Sequence, residues 1–206
     1  MIHLLKKERN YSYIEAGEGT PIIVLHGLMG GLSNFDSVIK YFSTKGYRVI
    51  IPELPIYTQS LLKTNVKSFA KYLHDFIEHK ELTDVILLGN SLGGHIGLYH
   101  TKLYPEKVKA LIITGSSGLY ESAMGGGYTK RGDYEVIKKK AQDVFYDPAV
   151  ATKEIVDEVY ETVNDRNKLI KTLAIAKSAI RHNMAKDLPN MTVPTCIIWG
   201  KNDNVT

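Results

Sequence analysis

Five short runs rich in valine, isoleucine and leucine punctuate the chain, at residues 22–25, 48–51, 85–88, 108–113 and 194–199. A strand that is apolar at nearly every position, rather than at alternate ones, needs cover on both of its faces. Between the first four runs lie patterns of helical period, at residues 34–45, 66–79 and 92–104. Buried strands alternating with amphipathic helices pack as right-handed βαβ units, so the chain is expected to form an α/β fold: a doubly wound, mostly parallel sheet with helices on both faces. Residues 8–16 alternate partially and end at Gly17-Glu18-Gly19-Thr20-Pro21, a turn signal, which predicts one short early strand.

The alternation lapses once. From about residue 118 to 190 no strand-like run occurs, and helical periodicity is readable at 133–145, 150–163 and 167–182, with Pro148 parting the first two. A helical insertion between two core strands predicts a cap, or lid, over one end of the sheet. The expected division is a first core part at 1–117, a helical cap at 118–190 and a return to the core at 191–206. Gly125-Gly126-Gly127 serves equally as a mobile mouth to that cap or as a surface linker.

Composition narrows the class only modestly. With 206 residues, 44% hydrophobic and 23% charged, the chain suffices for one domain with a sizeable core. The net charge of +4 comes from scattered lysines, the densest run being Lys138-Lys139-Lys140 in a helical pattern, which reads as a solvated face; no nucleic-acid partner is expected. The single cysteine, Cys196, lies in an apolar run and is expected to be a buried small hydrophobe, outside any disulfide or metal site. Residues 1–10 lack a signal-like apolar stretch and nowhere do 18 apolar residues run together, so a cytoplasmic protein with no membrane partner is the expectation.

Chemistry concentrates at two places. Gly89-Asn90-Ser91-Leu92-Gly93-Gly94 follows the apolar run 85–88 and opens the helical pattern 92–104. A G-x-S-x-G between strand and helix is a nucleophile elbow: the turn is so tight that its serine takes a strained backbone conformation, and glycines on either side remove side chains that would collide. The hydroxyl then stands above the sheet at a helix N-terminus, where free N–H groups favour developing negative charge. The second place is His26-Gly27-Leu28-Met29-Gly30-Gly31, directly after the run 22–25. Acyl transfer needs two N–H donors aimed at the nascent oxyanion. The amide of Leu92 is one candidate; the amide of Leu28, with Met29 second, is the other. His26 is expected to brace this loop rather than to act as a base.

These residues together resemble the α/β-hydrolase fold superfamily, over nearly the whole chain: the His-Gly loop, the elbow, the insertion, and then Trp199-Gly200-Lys201-Asn202-Asp203. The resemblance implies that Asp203, in a G-x-x-D after an apolar strand, is the acid of a Ser-Asp-His triad, fixing the tautomer of the histidine and stabilising the imidazolium. It also implies that the histidine follows the acid by some tens of residues, so the last strand, last helix and catalytic histidine of the pattern are expected to be missing from residues 1–206. Of the other histidines, His95, one helical turn after Ser91, and His182, before the penultimate strand, are poor substitutes. Losing such a base costs around six decades in turnover, so these residues alone are expected to be nearly inert. An uncovered final strand at 195–199 would be an open apolar edge, to be covered by a separate C-terminal piece or, less readily, a second copy.

The expected activity is that of a serine hydrolase acting through an acyl-enzyme at Ser91 on a small ester or related carbonyl compound, with no cofactor and no metal. Within the superfamily, Asn90 before the nucleophile and Ser33-Asn34-Phe35 resemble carbon-carbon bond hydrolases of aromatic ring-fission products. That resemblance implies substrate-binding roles for Asn34 and Asn90, with Arg166 as the cap arginine; Asn34 equally suits a helix N-cap. One departure is Pro52-Glu53-Leu54-Pro55-Ile56-Tyr57, where the superfamily commonly carries Asp and a Gly-rich turn. A non-catalytic binding protein of the same fold is the remaining alternative.

Overall fold

The computed structural model describes residues 4–28, 32–120, 131–203 and 205–206, apart from the side chain of Ser33. Seven strands form one sheet: β1 (Lys6–Glu8), β2 (Tyr11–Ala16), β3 (Thr20–Leu25), β4 (Tyr47–Pro52), β5 (Val85–Asn90), β6 (Val108–Thr114) and β7 (Thr195–Ile198), in the order β1-β2-β4-β3-β5-β6-β7. The pairs β1–β2 and β2–β4 are antiparallel and every other pair is parallel. The early strand expected over 8–16 is therefore a hairpin: Arg9, at φ 52°, turns the chain between β1 and β2.

Continuous apolar strands are covered on both faces, as their composition demands. In β3, Ile23 and Leu25 join the larger core with α2 (Val66–His79) and α3 (Leu92–Leu103), through Phe69, Leu73, Phe76 and Ile96. Their neighbours Ile22 and Val24 point the other way, into a second core with Phe35 and with Ile39 of α1 (Asp36–Phe42). The period of two along the strand is what splits them.

Two expectations need correction. The helix expected over 34–45 with Asn34 as N-cap starts at Asp36, after a 3₁₀ turn at Leu32–Phe35; Phe35 holds the N-cap position without a side-chain bond. Its ring is buried beside Ile39 against β3 and β4, and this anchoring, rather than an asparagine cap, fixes where the helix begins. Cys196 is exposed, not buried. β7 is the edge strand, and all four of its residues are exposed, because no further element covers it among the described residues.

Between β6 and β7 the described residues form α4 (Tyr134–Gln142), α5 (Lys153–Asn164) and α6 (Arg166–Arg181). Asp133 caps α4 and Asp165 caps α6, each accepting two backbone N–H bonds. α4 and α5 pack mainly on one another, around Ile137, Val159 and Val163, whereas α6 contributes Ile175 to the main core. α6 is also tied to the segment after β4: Lys171 Nζ donates to the Tyr57 carbonyl (2.7 Å), and the Val66 N–H donates to Ser178 Oγ (2.9 Å). The Gly125-Gly126-Gly127 run lies outside the described residues. No helix among the described residues is long and apolar enough to cross a membrane.

Candidate active site

Parallel register brings the C-terminal ends of three strands level: Leu25 pairs with Gly89, and Asn90 with Thr114. Ser91 follows β5 immediately, at φ 53° and ψ −117°, a conformation a residue with a Cβ rarely adopts. It persists because its surroundings leave the chain no other path. A Cβ on Gly93 would sit 2.1 Å from the Leu25 carbonyl oxygen, and one on Gly89 would sit 2.4 Å from the Gly93 backbone. Only glycines let α3 begin this close to β3. The Ser91 N–H donates to the Thr114 carbonyl (3.1 Å), while its own carbonyl accepts from the N–H groups of His95 and Ser117 (both 3.2 Å). Ser91 is partly exposed, so its hydroxyl is not packed into the core. Leu92, first residue of α3, has an N–H with no acceptor inside its helix.

The loop after β3 runs beside this turn. A Cβ on Gly27 would lie 3.4 Å from Ser91 Cβ, which places the next residue, Leu28, at the lip of the site. His26 is buried and spans two loops: Nδ1 lies 2.9 Å from the Gly27 carbonyl oxygen and Nε2 accepts from the Leu54 N–H at 3.1 Å. Burial lowers its pKa, against an opposing pull from the Gly27 carbonyl and the charge of Glu53, so the ring is neutral with its proton on Nδ1. Leu54 and Ile56 are themselves buried in the main core. The apolar replacement of a Gly-rich turn is thus used for packing and for seating His26. Met29 lies outside the described residues.

Asp203 comes to the same end of the sheet from the other side. Its Oδ2 would be 3.2 Å from a Cβ on Gly115, the residue after β6 and next to Thr114. Its Oδ1 accepts from the N–H groups of Val205 (2.8 Å) and Thr206 (3.1 Å), and Oδ2 from the Thr206 hydroxyl (3.2 Å). Partial desolvation pushes its pKa up, but these donors outweigh it and leave the carboxyl below its ordinary value. A cleft of about 400 Å³ opens beside it, lined by Val144, Tyr146 and residues 200–203.

The remaining described histidines bond or pack within other parts of the fold. His95 Nε2 meets the His182 carbonyl (2.9 Å), and its ring lies against Gly118, at φ 85°. His182 Nδ1 pairs with the hydroxyl and carbonyl of Ser178. His74 stacks on Tyr104 and neighbours His100, while His79 stacks on Tyr11. Among the described residues, no three His, Cys, Asp or Glu side chains form a group that could hold a metal.

Of the proposed substrate ligands, Asn90 is beside the elbow, but both of its Nδ2 bonds go to Thr114, to the carbonyl at 3.1 Å and the hydroxyl at 3.0 Å. Asn34 is exposed in the 3₁₀ turn before α1. Arg166 is exposed at the start of α6; the cations of that helix that touch the loop after β4 are Lys168 and Lys171, both at Tyr57. Thr114 and Ser117 escaped the sequence reading, although both hold the elbow through backbone or side-chain bonds. The turn signal Gly115-Ser116-Ser117-Gly118 was their visible trace.

Comparison with known proteins accords with this geometry. Residues 20–132 match the model of the alpha/beta hydrolase fold family. An α/β-hydrolase enzyme from the metagenome of sediments of the lagoon of Mar Chica, Morocco, is 61% identical and superposes with a TM-score of 0.79, over 98% of this chain and 77% of that one. A 2-hydroxy-6-oxononadienedioate/2-hydroxy-6-oxononatrienedioate hydrolase from Pseudomonas sp is 27% identical, over 92% of this chain and 74% of its own length. Lipase 1 of Psychrobacter immobilis is 28% identical, over 94% of this chain and 66% of its own length. With a strained serine between β5 and α3, an aspartate beyond β7 and these relatives, the chain belongs to the α/β-hydrolase fold family.

Proposed function

We propose that the protein is a serine hydrolase working through an acyl-enzyme at Ser91. The observation that carries the reading is the backbone of Ser91: a positive φ that packing enforces at the end of a central strand, with Gly27 and Asp203 on either side. Ser91 Oγ attacks a substrate carbonyl and loses its proton to a histidine. The same proton passes to the departing alkoxide as the carbon–oxygen bond breaks. Water then repeats the sequence on the ester so formed and frees the acid. The amides of Leu28 and Leu92 are the oxyanion donors, each worth about 3–4 kcal/mol of barrier. Asp203 orients the histidine through the carboxylate that its loop keeps ionised. The described histidines pack or bond away from the Ser91 hydroxyl, so the reading takes the base from outside the described residues, and without such a base turnover falls by around six decades. Helices α4–α6 act as the cap.

A small ester is the favoured substrate. A ring-fission dienol is the second reading, favoured by the Pseudomonas relative, whose identity is close to that of the lipase. Comparing p-nitrophenyl acetate with such a dienol in the full gene product separates the two. The serine itself is tested with a fluorophosphonate probe and free imidazole in place of the missing base. Imidazole should accelerate labelling at Ser91 and do nothing for Ser91→Ala. Absence of labelling at any pH, with imidazole present, favours the non-catalytic binding protein.

A further inference from the structure

α6 carries apolar residues on the wrong side for a helix that merely covers a core. Thr172, Ile175, Ser178 and Ala179 are buried, yet Ile170, Leu173 and Ile180 are 40%, 51% and 60% exposed on the opposite stripe. The segment tied to α6 at Tyr57 and Val66 meets the helix at Lys171, Thr172 and Ser178, and its 3₁₀ turn, which packs next to α6, adds Leu61 and Leu62, 48% and 91% exposed. The same surface is cationic. α6 holds Arg166, Lys168, Lys171, Lys177 and Arg181 and no acid; with Lys168 and Lys171 at Tyr57, the other three are exposed, as are Lys63 and Lys67 on the adjoining segment.

We propose that this face of α6, with the Leu61–Lys63 turn, docks on an anionic lipid surface. Leucine and isoleucine side chains set among lysine and arginine suit an interface where the former enter the headgroup boundary and the latter meet phosphates. Leu62 projects from a turn, and a fluid lipid boundary receives such a tip without a shaped pocket. A second copy is the poorer occupant. A two-fold antiparallel contact centred on Leu173 would bring Arg166 near the partner's Arg181 at both ends of the contact, with no acid on the helix to relieve them. Surface docking needs no spanning segment, so the lack of a long apolar run in the sequence does not bear on it.

Co-sedimentation with vesicles of phosphatidylcholine, alone or mixed with phosphatidylglycerol, tests the proposal without needing turnover. The protein should pellet with the mixed vesicles, release as salt rises, and stay in solution with phosphatidylcholine alone. Leu62→Asp with Leu173→Asp should abolish pelleting, and Leu62→Asp alone, at a site too exposed to disturb folding, should weaken it. Lys177→Gln with Arg181→Gln should weaken it about 25-fold, roughly fivefold for each cation. Failure to pellet with mixed vesicles, or pelleting indifferent to all three variants, overturns the proposal. So does a dimer in light scattering that Leu173→Asp dissolves while no vesicle binds.

Discussion

His100 should make this protein lose stability as the solution turns mildly acidic. It lies on α3, its side chain is fully buried, and neither ring nitrogen has a partner among the described residues. Burial, with a smaller contribution from His74, drives its pKa from 6.5 down to about 3. The folded ring is therefore neutral throughout the working range. The unfolded ring takes up a proton below pH 6.5, and that uptake favours the unfolded chain. Stability contributed by the neutral ring is complete above pH 6.5 and falls steadily as pH drops toward 3. Between pH 8 and pH 5 the loss from this one group is about 2 kcal/mol, from a shift of roughly 1.5 decades in the unfolded-state protonation ratio. His26, also held low by burial, adds loss of the same sign, so the test needs a difference. His100→Leu, of similar volume, removes the titration and the unpaired nitrogens together. Urea denaturation followed by circular dichroism at pH 8 and pH 5 should show the variant losing about 2 kcal/mol less than the parent. An identical acid loss in the two proteins would refute the reasoning and place the sensitivity elsewhere.

Three further outcomes are expected. Ser91→Gly should raise stability by about 1 kcal/mol, because glycine tolerates φ 53° at little steric cost, while it abolishes phosphonate labelling; thermal melts beside labelling gels read both. Gly93→Ala should lower stability by roughly 2–4 kcal/mol or prevent folding, since its Cβ would lie 2.1 Å from the Leu25 carbonyl oxygen; soluble yield and melting temperature report it. Asp165→Ala should cost about 1 kcal/mol, by freeing the N–H groups of Asn167 and Lys168 at the start of α6, and Asp165→Asn should restore most of that loss in chemical denaturation.

The parts of this fold legible in the sequence are those where one requirement acts alone. An all-apolar run such as 22–25 has no stable place except between two layers, and α2 was bounded at both ends by its periodicity. Residues under two competing demands were harder to read. Asn34 satisfies the rule for a helix cap, but burial of the Phe35 ring sets the start of α1 instead. Cys196 has the neighbours of a core residue, but exposure depends on what lies beyond an edge strand, a long-range fact. Asn90 illustrates the same limit in the site. Its position next to Ser91 was plain from spacing, whereas the direction of its amide depended on Thr114, 24 residues away on another strand.

Strain at Ser91 and the density of bonds around it belong together physically. A backbone held in a sparsely populated region costs on the order of 1–3 kcal/mol and survives only where neighbouring contacts over-determine it. Here two segments do so, the end of β3 and the end of β6 with its turn: Leu25 blocks any side chain at 93, Thr114 accepts the Ser91 N–H, and Ser117 donates to the Ser91 carbonyl. Asn90 adds a splint from the same turn to the same strand, through both bonds of its amide. The residues flanking the serine therefore hold its backbone in one conformation at the end of β5. That rigidity is what a pair of fixed amide donors requires, since an oxyanion site loses its advantage once the charge must reorganise it.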